Sequence, residues 1–219
     1  MTPRGGPAPP VWAVVVAGGT GARFGRPKQF ALLAGRPVVE RSVAACRAVA
    51  DGVVLVLPEG RTGDAFGADV VVAGGPTRSD SVRRGLAAVP GEAEVVVVHD
   101  AARPLASAAL FRSVVEALAD GRCGGAVCGV AVSDTLKRVD ADGAVTGTVD
   151  RGGLVAVQTP QGFRAELLRR AHAGGGEATD DAALVEALGA TVRVVPGDPH
   201  NVKLTTPADL AYAEHLLEG

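Results

Sequence analysis

The chain has 219 residues, 47% hydrophobic and 21% charged, which is enough for one well-buried core and makes a single domain the expectation. Its 22 basic and 24 acidic residues leave a net charge of -2, so no field over the whole molecule draws nucleic acid or an anionic membrane, and any anion site must be local. No apolar stretch reaches the roughly 20 residues of a membrane helix, and Cys46, Cys123 and Cys128 lack zinc spacing, reading instead as reduced, buried thiols of a cytoplasmic protein.

Residues 1–10, "MTPRGGPAPP", carry no hydrophobic stretch of signal-peptide type and read as a flexible tail before a domain over 11–219. Valine-rich runs then recur at 11–17, 53–57, 69–73, 94–99 and 125–132. They are too short and β-branched for buried helices and too continuous for half-exposed strands. Between them, residues 36–49, 79–89 and 107–120 place apolar side chains three and four apart, as amphipathic helices do. Strand and helix in alternation predict an α/β fold: a doubly wound, Rossmann-like, mostly parallel sheet that binds ligands beyond the carboxyl ends of its strands.

The pattern breaks at 133–163, which reads as short polar strands, with "DADG" (140–143) as the turn of a hairpin. So little apolar surface does not hold a hairpin alone in water, so an arm at about 133–155 is expected to pack on something, a second copy of the chain being the usual partner. Helices at 163–173 and 179–189, a strand at 191–197 and a helix at 206–217, started by Thr206 and Pro207 with Asp209 in its first turn, complete the chain.

The first strand runs into "AGGTGARFGRPKQF" (17–30), with four glycines, two arginines and a lysine. Counting from Gly19, a dinucleotide fingerprint fails at Phe24, and a P-loop fails because Gln29 follows Lys28. A dinucleotide site also wants an acidic residue about 20 positions on; only Glu40, inside a predicted helix, is near, and Glu59 is too distant. What remains is a turn whose amides approach an anion where Gly18, Gly19 and Gly21 lack Cβ, with Arg23 and Lys28 to neutralise several charges, as a triphosphate requires. Asp100, after "EVVVVH", falls at the carboxyl edge of the sheet, where an N-cap or an ion pair with Arg103 would also suit it. His99, His172, His200 and His215 show neither triad nor metal spacing.

The glycine stretch resembles the signature of nucleotidyltransferases that activate sugar and polyol phosphates. Four more stretches in order, "GGPTRSDSVRRGL" (74–86), "VHDAARP" (98–104), "DTLKRV" with "VDRGGLVAVQTPQGF" (134–163), and "TDDAALVEALG" before "HNVKLTTPADL" (200–210), narrow the likeness. Together they resemble the 2-C-methyl-D-erythritol 4-phosphate cytidylyltransferases of the non-mevalonate isoprenoid pathway, over residues 11–217. The resemblance implies the nucleotidyltransferase fold with a β-hairpin dimerisation arm, and transfer of CMP from CTP to a polyol phosphate in a homodimer with Mg²⁺. It implies that Arg23, Lys28 and Lys203 act on the triphosphate. Ala17, Gly18, Gly19, Gly21, Gly75, Pro76 and Ser81 would hold the nucleotide, though Ser81 would equally serve to cap a helix. Asp100, Arg103, Thr135, Arg151, Thr159 and Thr179 would hold the polyol phosphate, with Thr135 and Arg151 reaching across from a neighbouring subunit's arm. No firm protein ligand is implied for Mg²⁺, which phosphates and water would mainly hold. Three departures stand out: the gap between Arg23 and Lys28 is only "FGRP", shorter than in many members, Gly18 replaces a common alanine, and Pro76 a common acidic residue. A cousin acting on ribitol phosphate would share the triphosphate site, and the polyol contacts decide between the two.

Overall fold

The computed structural model describes residues 9–19, 24–25 and 27–218. A seven-stranded sheet forms the centre, in the order β11 (Val192–Pro196), β7 (Gly125–Ala131), β10 (Val155–Arg164), β6 (Val95–Asp100), β1 (Val11–Val16), β4 (Gly52–Leu57) and β5 (Val70–Ala73). Its parallel half comprises β1 (Val11–Val16), β4 (Gly52–Leu57), β5 (Val70–Ala73) and β6 (Val95–Asp100). On the other side β10 (Val155–Arg164) runs antiparallel between β6 and β7 (Gly125–Ala131), and β11 (Val192–Pro196) pairs parallel with β7.

Successive residues of the valine runs serve opposite faces, as the pleat requires. Ala13, Val15, Val53, Leu55, Val95 and Val97 pack with α1 (Val38–Arg47) and α3 (Ala108–Glu116). Val14, Val54, Val56, Val96 and Val98 pack instead with α2 (Arg78–Ala87), α4 (Ala165–Ala173) and α5 (Asp181–Glu186). With a helical layer on each face, continuous Val runs are what the strands need. At Gly85 a Cβ would come within 2.5 Å of Val14, so this glycine lets α2 lie close on the sheet.

Two smaller pieces complete the fold. β2 (Leu32–Leu33) and β3 (Arg36–Pro37) form a tight hairpin ahead of α1, so the helix starts two residues later than its periodicity predicts, after a proline that has no amide to donate. Leu33 and Val38 pack with Leu204 and with Ala213 of α6 (Pro207–Glu218). The hairpin arm is β8 (Leu136–Val139) and β9 (Val145–Val149), turning at 140–143 as expected and forming a sheet of its own.

The stretch 155–163 departs from its reading as one of several short polar strands: it lies within a ten-residue strand inside the main sheet. A proline argues against a central strand. Here the ladder with β7 shifts between Gln158 and Gln161, which takes Thr159 and Pro160 out of the pairing and accommodates the ring. Of the expected tail, residues 1–8 lie outside the described residues; the carbonyl of Pro10 accepts from the amides of Glu94 and Val95 at the start of β6.

Candidate active site

A cleft of about 340 Å³ opens at the carboxyl edge of β1 and β6, lined by residues that include Ala17, Gly18, Gly19, Lys28, Gly75, Pro76, Arg78, Ser81, Asp100 and Lys203. Lys28 and Lys203, far apart in the chain, thus meet in one cavity. Gly21 and Arg23 lie outside the described residues.

Each wall has a local cause. Lys28 starts a 3-10 turn, Lys28–Phe30, that follows the glycine stretch. The N-terminal end of α2 faces the cleft and is closed by a reciprocal cap, Thr77 accepting from the Asp80 amide while Asp80 accepts from the Thr77 amide. The positive end of that helix suits an anion. Thr77, not Ser81, is therefore the cap. Ser81 is buried, and its Oγ accepts from the Gly75 amide at 3.1 Å. A Cβ on Gly75 would stand 2.2 Å from that of Asp80, so only glycine lets this loop lie against the helix.

Asp100 ends β6 opposite Val16 and is held from two sides: Lys203 Nζ lies 2.6 Å from Oδ2 and Arg78 Nε 3.1 Å from Oδ1. Burial alone would favour its protonated form; Arg78 and Lys203 outweigh this and hold the carboxyl well below the usual carboxylate range. Arg78 also meets the buried Asp181 through Nη1 at 2.9 Å, and Asp181 in turn meets His172 Nε2 at 2.9 Å. Burial penalises the guanidinium charge, but Asp100 and Asp181 raise its pKa above the ordinary value. Charges of alternating sign therefore run from Lys203 through Asp100 and Arg78 to Asp181.

The far side of Asp100 is fixed by a neutral histidine. Thr159 Oγ1 accepts from the Asp100 amide at 3.0 Å and lies 3.1 Å from His99 Nδ1. The Arg103 carbonyl, 3.2 Å from His99 Nε2, can only accept, so the neutral ring carries its one proton on Nε2 and its Nδ1 accepts from the Thr159 hydroxyl. Burial against Phe111 pushes the His99 pKa down to about 4. Arg103 follows the lining residues Asp100, Ala101 and Ala102 without itself lining the cleft; its Nη1 donates to the Asn201 carbonyl at 2.7 Å, and its buried Nε has no hydrogen-bond partner among the described residues. Asn201, fully buried, donates from Nδ2 to Gln158 Oε1 and to the Thr159 carbonyl. Two positions on, the exposed Lys203 is placed by buried Leu204, whose amide donates to the Ala102 carbonyl at 2.8 Å.

Thr135 and Arg151 are exposed next to the arm strands, outside the cleft lining, and Thr179 is exposed ahead of α5. Arg78, Asp181 and Gln29 were not assigned to the site by sequence, although the first two leave a signal. An arginine in the first turn of a helix opposes the dipole and so calls for an acidic partner. A second aspartate follows Asp180, which already caps α5 by accepting from the Ala183 amide.

A sequence profile described as 2-C-methyl-D-erythritol 4-phosphate cytidylyltransferase matches residues 11–219. The chain belongs to this family. It is 49% identical over 218 residues to the 2-C-methyl-D-erythritol 4-phosphate cytidylyltransferase of Rhodococcus jostii (strain RHA1), covering 95% of this chain and 96% of the relative. The solved structure of the Thermus thermophilus 2-C-methyl-D-erythritol 4-phosphate cytidylyltransferase is 40% identical, with a TM-score of 0.81 over 94% of this chain and 98% of that one. The 4-diphosphocytidyl-2C-methyl-D-erythritol synthase of Anaerococcus prevotii DSM 20548 is 28% identical, with a TM-score of 0.83 over 97% of this chain and 100% of that one. Family and fold thus agree with what the glycine stretch and the four later motifs imply. Among the described residues, no helix is long and apolar enough to cross a membrane.

Proposed function

We propose that this protein transfers CMP from CTP to 2-C-methyl-D-erythritol 4-phosphate, giving CDP-methylerythritol and pyrophosphate for isoprenoid precursor synthesis. The convergence of Lys28 and Lys203 with the α2 N-terminus in one cleft carries the reading. A phosphate monoester has its second pKa near 6, so the attacking oxygen is already anionic at neutral pH and needs no general base. That oxygen bonds to the α-phosphorus while the bond to the β-phosphate oxygen breaks, and pyrophosphate leaves with the electron pair. The barrier lies in bringing two polyanions together and in charge on the equatorial oxygens, which fixed cations lower. Lys28 and Lys203 flank the α-phosphate, Arg23 and the amides of Gly19 and Gly21 take the remaining phosphates, and the main chain of Ala17, Gly18, Gly75 and Pro76 with Ser81 surrounds the cytosine.

Asp100 faces the polyol hydroxyls, and Thr159 serves the same end through the Asp100 amide that its hydroxyl holds. Arg103 and Thr179 complete the polyol side. The donor set suits Mg²⁺ held mainly by phosphates and water. Both oxygens of the carboxylate in the cleft, Asp100, already face cations, and no three His, Cys, Asp or Glu residues group as a cage among the described residues. When bound, the ion would neutralise triphosphate charge beside Asp100.

The arm supports a homodimer. Val139 and Val145 are 55% and 62% exposed on a two-stranded sheet that does not stand alone in water. Thr135 and Arg151 then reach the neighbour's polyol site. Buried, unpaired Cys46, Cys123 and Cys128 suit the reducing cytoplasm. The partners are two small anions and a second copy, without nucleic acid or membrane. Pyrophosphate release with CTP, with and without Mg²⁺, and with methylerythritol, ribitol and glycerol phosphates tests the reading. Mg²⁺-dependent preference for methylerythritol phosphate is expected, and equal or better turnover of ribitol phosphate would refute it.

A further inference from the structure

Gln29, beside Lys28, is buried, and its carboxamide nitrogen donates to two main-chain carbonyls of the glycine stretch, Ala17 at 2.8 Å and Gly19 at 2.9 Å. Two acceptors facing one group settle its orientation, since an oxygen there would meet two oxygens. The amide of Ala17 is also committed, donating to the Val56 carbonyl at 2.8 Å, so this end of the stretch is fastened to β4 as well. A trans peptide is planar, with its carbonyl and following amide pointing opposite ways. Holding the Ala17 carbonyl therefore fixes the direction of the Gly18 amide. Glycines lack the side-chain restraint that would otherwise narrow these peptide orientations. The turn after Gln29 is fastened too, by the Ala31 amide to the Lys28 carbonyl and the Val38 amide to the Ala31 carbonyl.

We infer that Gln29 is a positioning residue for cytidylyl transfer: it clamps the glycine stretch to the turn that carries Lys28, so that amides and ammonium meet the triphosphate as one preformed unit. Its role in meeting the triphosphate rests on the CTP reading given above; the clamp itself does not. A carboxylate at this position would set negative charge against both carbonyls. Preforming an anion site lowers the ordering cost of binding, so the loss should fall on CTP rather than on the polyol phosphate.

Two variants test this. Gln29→Met keeps size and removes both donors; the KM for CTP should rise roughly ten- to hundredfold, as for two lost hydrogen bonds, with the KM for the polyol phosphate unmoved. Amide hydrogen exchange at residues 17–19 should quicken by a similar factor, while β1 and β4 exchange as before. Gln29→Glu becomes a donor only when protonated, so its deficit in CTP affinity, measured against wild type at each pH, should shrink as pH falls. This pH trend is a readout that poor folding would not give. Unchanged exchange at 17–19, an unchanged KM for CTP, or equal rises in both KM values would overturn the clamp. A wild-type protein without cytidylyl transfer would overturn the functional reading instead, and the exchange comparison, needing no substrate, then decides the clamp alone.

Discussion

His99 should make the protein measurably weaker in mild acid, by an amount the structure sets. Its ordinary pKa of 6.5 falls to about 4 because burial disfavours the charged ring; the Asp100 charge and the hydrogen bond to the Arg103 carbonyl act in the opposite direction, and the Arg103 charge in the same one. Between these values the unfolded chain takes up a proton that the folded chain refuses, so folding stability declines as pH falls from about 6.5 towards 4. The two pKa values give a loss of about 2 kcal/mol by pH 5 and about 3 kcal/mol by pH 4, relative to neutral pH. His99→Gln isolates this effect, since a carboxamide can accept from Thr159 and donate towards the Arg103 carbonyl without titrating. Urea unfolding of both proteins at pH 7, 5.5 and 4.5 should show the wild type losing more stability than the variant on acidification. Parallel slopes, or a His99 ring resonance titrating near 6.5, would refute the assignment of a neutral, doubly bonded imidazole.

Lys203→Ala should cut turnover by about two to three orders of magnitude, as for removal of one oriented electrostatic stabiliser, while the chain still folds, because buried Leu204 anchors the segment and Arg78 still faces Asp100. Arg78→Met leaves buried Asp181 without its guanidinium and should cost about 3–5 kcal/mol in denaturant unfolding; adding Asp181→Asn should recover part of the loss, and strict additivity would sink the pairing. Arg151→Ala should raise the KM for the polyol phosphate and leave that for CTP alone, and mixing it with Lys203→Ala subunits should restore partial activity if the arm is shared. Val145→Asp, on the exposed arm, should shift sedimentation towards the monomer.

Much of the fold was legible because β1, β4 and β6 are valine-rich runs whose two faces are both covered, and the helices between them repeat at helical spacing. The carboxyl edge of β6 placed Asp100 from sequence alone. β10 was not legible as a central strand, because Gln158, Thr159 and Gln161 are buried for hydrogen bonding and no apolar period marks them. The links from Arg78 to Asp181 and from Asn201 to Gln158 join residues remote in sequence, so local pattern could give their residue types but not their partners. For Ser81, sequence weighed binding against capping, and only the structure shows the cap assigned to Thr77.

The pleat of β6 sends Val95 and Val97 to one helical layer and Val96 and Val98 to the other, with His99 against α3 and Asp100 against Arg78 of α2. Deleting one residue near the start of this strand would exchange every later side chain between the layers, turning the imidazole towards the guanidinium and the carboxylate into the aromatic packing. Strand length is thus under a parity constraint that chemistry and core share. Changes in length belong elsewhere, in outlying loops such as the exposed segment 59–65, where no such alternation has to be kept.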